Sequence, residues 1–279
     1  MKLVRFVVLR AGFVAVASLI GLAFVLPLLW LLTAPFNAQA TLRVEWPSPF
    51  TLRNFGDVFG NSFAIRALFM NSILQAGGTM VGTAVIATLA AYALSRLRIR
   101  GHNVLVYLLV LFSSVVTGTA AMVPIFLLLY YLRLIDTHLG VILVLTGGLL
   151  PTGIFLMRDF VESIPRSYEE SALVSGATPW QMFRDVVLPV LRPGMMVVAV
   201  WAFVNAWGNF LIPAILIRSP EKMPAPVAIY SFYTEGGTPV LTLISAYSLL
   251  YAIPVVALYL FVNWRYGFRF FGGIKGGGK

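Results

Sequence analysis

The stretch Ile164–Pro189 reads IPRSYEESALVSGATPWQMFRDVVLP and stands between two long apolar runs. Pro165 suits the first turn of a helix, where its missing N–H is one of those left unpaired. The helix that follows carries Tyr168, Ala172 and Leu173 on one side, with Glu169 and Glu170 near its positive end, where carboxylates are favoured. Gly176 ends it as a C-cap, free of the Cβ penalty in the left-handed conformation. Thr178-Pro179 then reads as N-cap and first residue of a second helix, with Trp180, Phe183 and Val187 at i, i+3 and i+7. Pro189 and Pro193 are expected to close that helix before the next apolar run. The stretch therefore reads as an L-shaped pair of short amphipathic helices lying under a membrane.

The membrane itself follows from composition. In 279 residues, 59% are hydrophobic and only 11% charged, with a mean hydropathy of +0.90. A soluble domain could not hide that much apolar surface. Crossing about 30 Å of hydrocarbon takes roughly 20 helical residues. Six runs meet that length: Ala11–Leu32, Asn71–Leu94, Val104–Tyr130, His138–Met157, Gly194–Ile217 and Leu241–Trp264. The expected class is an all-α polytopic membrane protein, read as a single transmembrane domain over residues 1–279 with the loop 158–193 inside it.

Charge orients the bundle. No Lys, Arg, Asp or Glu needs to lie within a proposed span, where one would cost about 2.5–3.5 kcal/mol. With the N-terminus cytoplasmic, six of the 20 basic residues fall outside: Arg43, Arg53, Arg66, Arg133, Arg218 and Lys222. The remainder, from Lys2, Arg5 and Arg10 through Arg96, Arg98, Arg100, Arg158, Arg166, Arg184, Arg192, Arg265 and Arg269 to Lys275 and Lys279, fall inside. The positive-inside rule then puts both termini in the cytoplasm, and the net charge of +10 needs no nucleic acid to account for it. The first run, with Ala38-Gln39-Ala40 after it, imitates a secretory signal. At about 22 residues it exceeds the roughly 7–15 of a signal core, so an uncleaved first helix is expected. Outside, two longer loops stand out: residues 33–70, with Trp46 and Phe50 as interface anchors, and residues 218–240, rich in proline.

Within Ile164–Pro189, Glu170-Ser171-Ala172, Gly176, Val186, Leu188 and Pro189 have the form E-[AS]-A-x3-G-x9-[IV]-x-L-P. That form resembles the cytoplasmic EAA coupling loop of bacterial ABC-importer permeases, with Ser171 where the family usually has Ala and Val186 where it usually has Ile. Ser175 stands where sugar permeases often carry Asp. The resemblance extends over nearly the whole chain. Asn71-Ser72, Ala91-Tyr92-Ala93-Leu94-Ser95-Arg96, Ile164-Pro165 and the tail Gly272-Gly273-Ile274-Lys275-Gly276 are similar to maltose- and trehalose-type carbohydrate permeases, in particular the six-helix partner of the pair. Ala206-Trp207-Gly208-Asn209-Phe210 resembles that group's W-N-[DE]-F segment, with Gly208 for Asn and Asn209 for the acid.

What the resemblance implies is a six-helix ABC importer type I permease of MetI-like fold in the bacterial inner membrane. It implies a second permease subunit, two cytoplasmic ABC ATPase subunits that bind ATP and Mg, an extracellular substrate-binding protein and a sugar substrate. On that likeness Glu169, Glu170, Ala172, Leu173, Gly176, Phe183, Leu188 and Pro189 are the ATPase-coupling residues. Other solutes carried by such permeases, glycerol phosphate, polyamines or peptides, are the nearest alternative; an ion-coupled secondary transporter would call for buried charge or inverted internal symmetry, and neither is visible. For the substrate pathway, sugars are held by aromatic faces and neutral hydrogen-bonding groups. The fifth and sixth runs supply Asn205, Trp207, Asn209, Tyr247 and Tyr251, with Asn205 and Asn209 on one helix face. The same residue types also bond across helices or anchor at the interface.

Catalysis and resident cofactors are not expected. Gly273-Ile274-Lys275-Gly276-Gly277-Gly278-Lys279 fits the letters of a phosphate loop but has no following Ser or Thr and no flanking strand and helix. His102 and His138 lie at loop edges without carboxylate clusters, and the chain has no cysteine, which excludes disulfides, thiolate metal sites and a cysteine nucleophile. Energy must come from another polypeptide.

Overall fold

The computed structural model describes residues 2–96, 104, 108, 111 and 119–266. Part of the predicted span Val104–Tyr130 lies outside them, as do Arg98, Arg100, His102, Arg269 and residues 272–279. Apart from the isolated bridges Asn37–Phe50 and Tyr233–Pro239, the regular structure described is helical: α1 Lys2–Thr33, α2 Arg53–Gly60, α3 Ser62–Arg96, α4 Met122–Tyr131, α5 His138–Glu162, α6 Arg166–Val174, α7 Pro179–Trp207, α8 Leu211–Leu216 and α9 Leu241–Tyr266. Among the described residues, five of these (α1, α3, α5, α7 and α9) are long and apolar enough to cross a membrane. The chain is thus a multi-pass membrane protein. It divides into two compact units, one of residues 1–65 and 229–254, the other of 66–228 and 255–279.

Two predicted boundaries need correction. The run expected at Gly194–Ile217 is not one span. Its helix, α7, begins at Pro179 and stops at Trp207 with Gly208 as C-cap; the Asn209 Oδ1 then accepts from Ile212 N (3.0 Å) at the start of the separate α8. Nor do Pro189 and Pro193 end a short helix. Phe183–Val187 is a π segment, so hydrogen bonding there already steps back five residues rather than four, and a proline just beyond it interrupts a ladder that has already been shifted. Membrane helices tolerate interior prolines where neighbours cover the freed groups, and α5 also carries one, Pro151.

In the second unit α3, α5 and α7 pack around Ala87, Ala91, Ile154, Met157, Val161, Ile164, Met182, Val187, Leu191 and Val198. Small residues let the backbones approach. At Gly194 an added Cβ would stand 2.5 Å from the Phe160 ring, so glycine is what allows α7 to lie against α5 there.

Just before α5, Asp136 adopts a left-handed conformation (φ 58°) that short polar side chains tolerate. Its carboxylate accepts from the amides of Arg218 and Ser219 (both 2.9 Å), from the Ser219 hydroxyl and from Lys222 Nζ (3.0 Å). Burial favours the neutral acid, but these bonds, led by those from Ser219, outweigh it and hold the carboxyl well below the usual aspartate range. The segment that carries them is tied to α3 as well: Asn71 Nδ2 donates to the carbonyls of Glu221 (2.8 Å) and Met223 (2.9 Å), and Ser72 Oγ accepts from Ala225 N (2.7 Å).

In the first unit, α1 leaves the side chains of its apolar window exposed. The loop after it is folded on Asn54, whose Nδ2 donates to the carbonyls of Pro35 (2.8 Å) and Asn37 (2.9 Å), and on Phe36, stacked with Phe50 at 5.4 Å.

Candidate coupling site

Two helix caps two residues apart, at Gly176 and Thr178, shape the Ile164–Pro189 stretch. At the end of α6, Gly176 has φ +89°, its N–H reaches the Leu173 carbonyl (3.0 Å), and Ala177 N–H reaches that of Ala172 (3.1 Å). This paired pattern is the Schellman motif, and its left-handed position favours glycine. At the start of α7, Thr178 Oγ1 accepts from Gln181 N (3.3 Å) and Gln181 Oε1 accepts from Thr178 N (2.9 Å), with Pro179 as first helical residue. That reciprocal capping box satisfies two otherwise unpaired donors. Both caps match the sequence reading; the contribution of Gln181 goes beyond it.

The faces differ from the predicted stripe. Because the π segment inserts a residue into the helical phase, Trp180 and Val187 do not share a face: Val187 is fully buried, whereas Trp180 is 66% exposed. Phe183 is half-buried between Trp180 (ring centroids 6.1 Å) and Tyr92 of α3 (5.0 Å). Ala172 packs against the core, and Leu188 and Pro189 are half-buried in α7. What projects is an apolar patch of Tyr168, Leu173, Val174 and Trp180, with Val174 at 89% exposure the most prominent. Val174 and Trp180 belong with the candidate coupling residues; Val174 is invisible to a stripe drawn through Tyr168, Ala172 and Leu173.

The two adjacent glutamates have opposite fates. Glu170 is exposed. Glu169 turns inward: Oε1 accepts from Arg96 Nε at 2.7 Å, Oε2 from the Tyr92 hydroxyl at 3.0 Å. The side chains of Arg96 and Glu169 are only 15% and 11% exposed. Arg96 Nη2 also donates to the carbonyls of Ile164 (3.0 Å) and Val161 (3.4 Å). Tyr92 and Arg96 lie in the Ala91–Arg96 segment.

The proposed pathway residues separate. Asn205 and Asn209 line a cavity of about 250 Å³ together with Gly148, Thr152 and apolar side chains of α5 and α8. Asn205 Nδ2 donates back to Trp201 O (2.8 Å). Trp207 is not in that lining; it is buried and stacked on Phe203 at 5.3 Å. In the other unit Tyr247 is buried, its ring 5.1 Å from Phe232 and its hydroxyl donating to Ala64 O (3.4 Å). Tyr251, one turn on, is half-buried. Among the described residues no cluster of three or more His, Asp or Glu could hold a metal ion.

A family model described as binding-protein-dependent transport system inner membrane component matches residues 84–268, a range that contains both caps, the projecting patch and the Arg96–Glu169 pair. The chain belongs to that family. Among similar members, the galactooligosaccharides transport system permease protein GanQ of Bacillus subtilis is 29% identical over 94% of each chain. The maltodextrin transport system permease protein MdxG of the same organism is 27% identical over 88% of each. The trehalose transport system permease protein SugB of Mycobacterium tuberculosis is 30% identical over 92% of this chain and 94% of its own. In fold, the chain is similar to a chain of a bacterial ABC transporter involved in the import of the acidic polysaccharide alginate, with a TM-score of 0.77 and 22% identity over 93% of this chain and 96% of that one. The family membership accounts for a multi-pass transport subunit.

Proposed function

We propose that this protein is the membrane-spanning permease subunit of an ATP-driven importer for a sugar or oligosaccharide. It forms the translocation pathway with a second permease, and its α6–α7 corner seats in a cytoplasmic ABC ATPase. The observation that carries the reading is the corner itself: two helices rigidly capped on either side of Gly176, presenting Val174, Trp180, Leu173 and Tyr168 outward while Met182 and Val187 anchor them inward. An amphipathic helix with apolar knobs is the shape that docks into a groove and carries its movement. The relatives named for galactooligosaccharides, maltodextrin and trehalose support the carbohydrate class.

On this reading the chain lies in the bacterial inner membrane with both termini and the α6–α7 corner cytoplasmic. Two ATPase subunits bind ATP and Mg, the chain itself holding no cofactor and hydrolysing nothing, and an extracellular binding protein delivers the sugar. A solved alginate importer in complex with a pentasaccharide-bound periplasmic protein gives a similar chain such a partner. ATP closure of the ATPase dimer moves the corners, and the bundle alternates between outward and inward access. Membrane vesicles containing the chain with its second permease and ATPase, supplied with binding protein, test this against galactooligosaccharide, maltodextrin and trehalose, with glycerol phosphate, a polyamine and an oligopeptide alongside. ATP-dependent, saturable uptake of a sugar is expected. Uptake confined to a non-sugar, or driven by an ion gradient without ATP, would contradict the reading.

A further inference from the structure

A stroke received at the α6–α7 corner must enter the bundle through defined contacts, and one side chain touches three of the helices concerned. Arg96 is the last residue of α3; its Nε binds Glu169 of α6, and its Nη2 binds the Val161 and Ile164 carbonyls where α5 ends. Four residues earlier, Tyr92 donates to the other oxygen of the same carboxylate and lays its ring on Phe183 of α7. A cation at a helix C-terminus is favoured by the helix dipole. The pair is largely screened from water, so solvent does not readily replace a lost partner. The planar guanidinium holds its donors in fixed directions, which an ammonium cannot do.

We propose that Arg96 is the joint through which α6 turns α3 and α5, so that Arg96 and Glu169 are positioning residues for transport that act inside this chain rather than on the ATPase. The inference rests on the coupling role proposed for the α6–α7 corner. It assigns adjacent glutamates different work: Glu170 faces outward, and Glu169 ties the corner to the bundle. A simple structural brace would support folding and leave the coupling ratio alone. A joint sets how much movement each ATP delivers.

The test uses the full complex of both permeases, ATPase subunits and binding protein in proteoliposomes, with whichever of galactooligosaccharide, maltodextrin or trehalose gives ATP-dependent uptake. The variants are Arg96→Lys, which keeps the charge and loses the fork, and Glu169→Gln. Both are expected to keep ATP hydrolysis while sugar moved per ATP falls about fivefold or more, the scale of a modest coupling free energy. A spin label on Ser167→Cys in this cysteine-free chain should report greater mobility of α6 in both variants. If neither variant accumulates, Tyr92→Phe carries the test, with a smaller loss of sugar per ATP in the same direction expected. Unchanged sugar per ATP with an immobile label would overturn the joint. Gly176→Val in the same complex separates the two ideas: if it abolishes uptake while Arg96→Lys does nothing, the joint alone fails, and if both leave uptake intact, the coupling reading fails with it.

Discussion

The two ends of α5 are fastened by opposite chemistry. At the His138 end a carboxylate, Asp136, gathers amides, a hydroxyl and an ammonium; at the Glu162 end a guanidinium, Arg96, gathers a carboxylate and two carbonyls. Each charge suits the helix end it serves, anion near the N-terminus and cation near the C-terminus. They differ in what they restrain and in how wet they are. The Asp136 clasp pins a loop flat against α3 and α5, with its two charged side chains 25% and 36% exposed. The Arg96 clasp, at 15% and 11%, fastens a helix pair that projects beyond it with Val174 and Trp180 bare. The projecting helix pair thus has the drier attachment of the two.

The largest expected effect breaks the drier clasp. Arg96→Met leaves Glu169 buried without its cation, and removing one partner of a buried pair costs about 3–5 kcal/mol, reduced here toward the lower end by the residual exposure. Thermal unfolding in detergent should show a clear drop in midpoint. A variant as stable as the parent would show that the clasp holds nothing.

At the other end the loss should be smaller and should depend on pH. Asp136→Asn weakens hydrogen bonds to a charged group, typically worth about 1.5–3 kcal/mol each at most, and partial exposure lowers that. The sign follows from linkage: the folded carboxyl titrates below its unfolded value, so its stabilisation is fully present above the unfolded value of about 3.9 and is lost as pH falls through and below it. The parent and Asp136→Asn should therefore differ in unfolding midpoint at pH 7, with the gap narrowing as pH is lowered through 4 toward 3. A gap that stayed constant over that range would contradict the charged clasp.

The smallest change sharpens the view of the lever. Thr178→Ala removes one half of the capping box, worth about 1 kcal/mol, at a helix start whose interior, Met182 and Val187, stays anchored. Hydrogen exchange should quicken at the first amides of α7 and leave the α3–α5 core unchanged.

How much of this was legible depended on how local the determinants are. Gly176 and Thr178-Pro179 marked both caps correctly, because left-handed backbone and an N-cap hydroxyl are demands of a few consecutive residues. The continuity of α7 through Pro189 and Pro193 was not legible: it depends on the π segment Phe183–Val187, which the apolar pattern does not reveal. The same inserted residue turned Val187 inward and broke the expected stripe. The end of α7 at Trp207 was hidden because hydropathy runs on past Gly208 and Asn209 into α8. Which of Glu169 and Glu170 faces in was settled by Arg96, a partner far away in sequence, and Tyr247 was taken up by Phe232 and Ala64 in the same way. Pairings across such distances are set by tertiary packing, which a single sequence does not display.

The α6–α7 corner is the element proposed to carry an ATPase stroke into the bundle. Its most direct measurement is sugar uptake divided by membrane abundance for Gly176→Val and Glu170→Ala in cells carrying the whole importer. The first forces a β-branched side chain into a left-handed position that costs roughly 1–2 kcal/mol; the second removes the outward carboxylate of α6. Both lie outside the packed core, so abundance should stay near that of the parent while uptake falls severely for Gly176→Val and measurably for Glu170→Ala. Normal uptake at normal abundance in both would contradict the claim that this corner transmits the stroke.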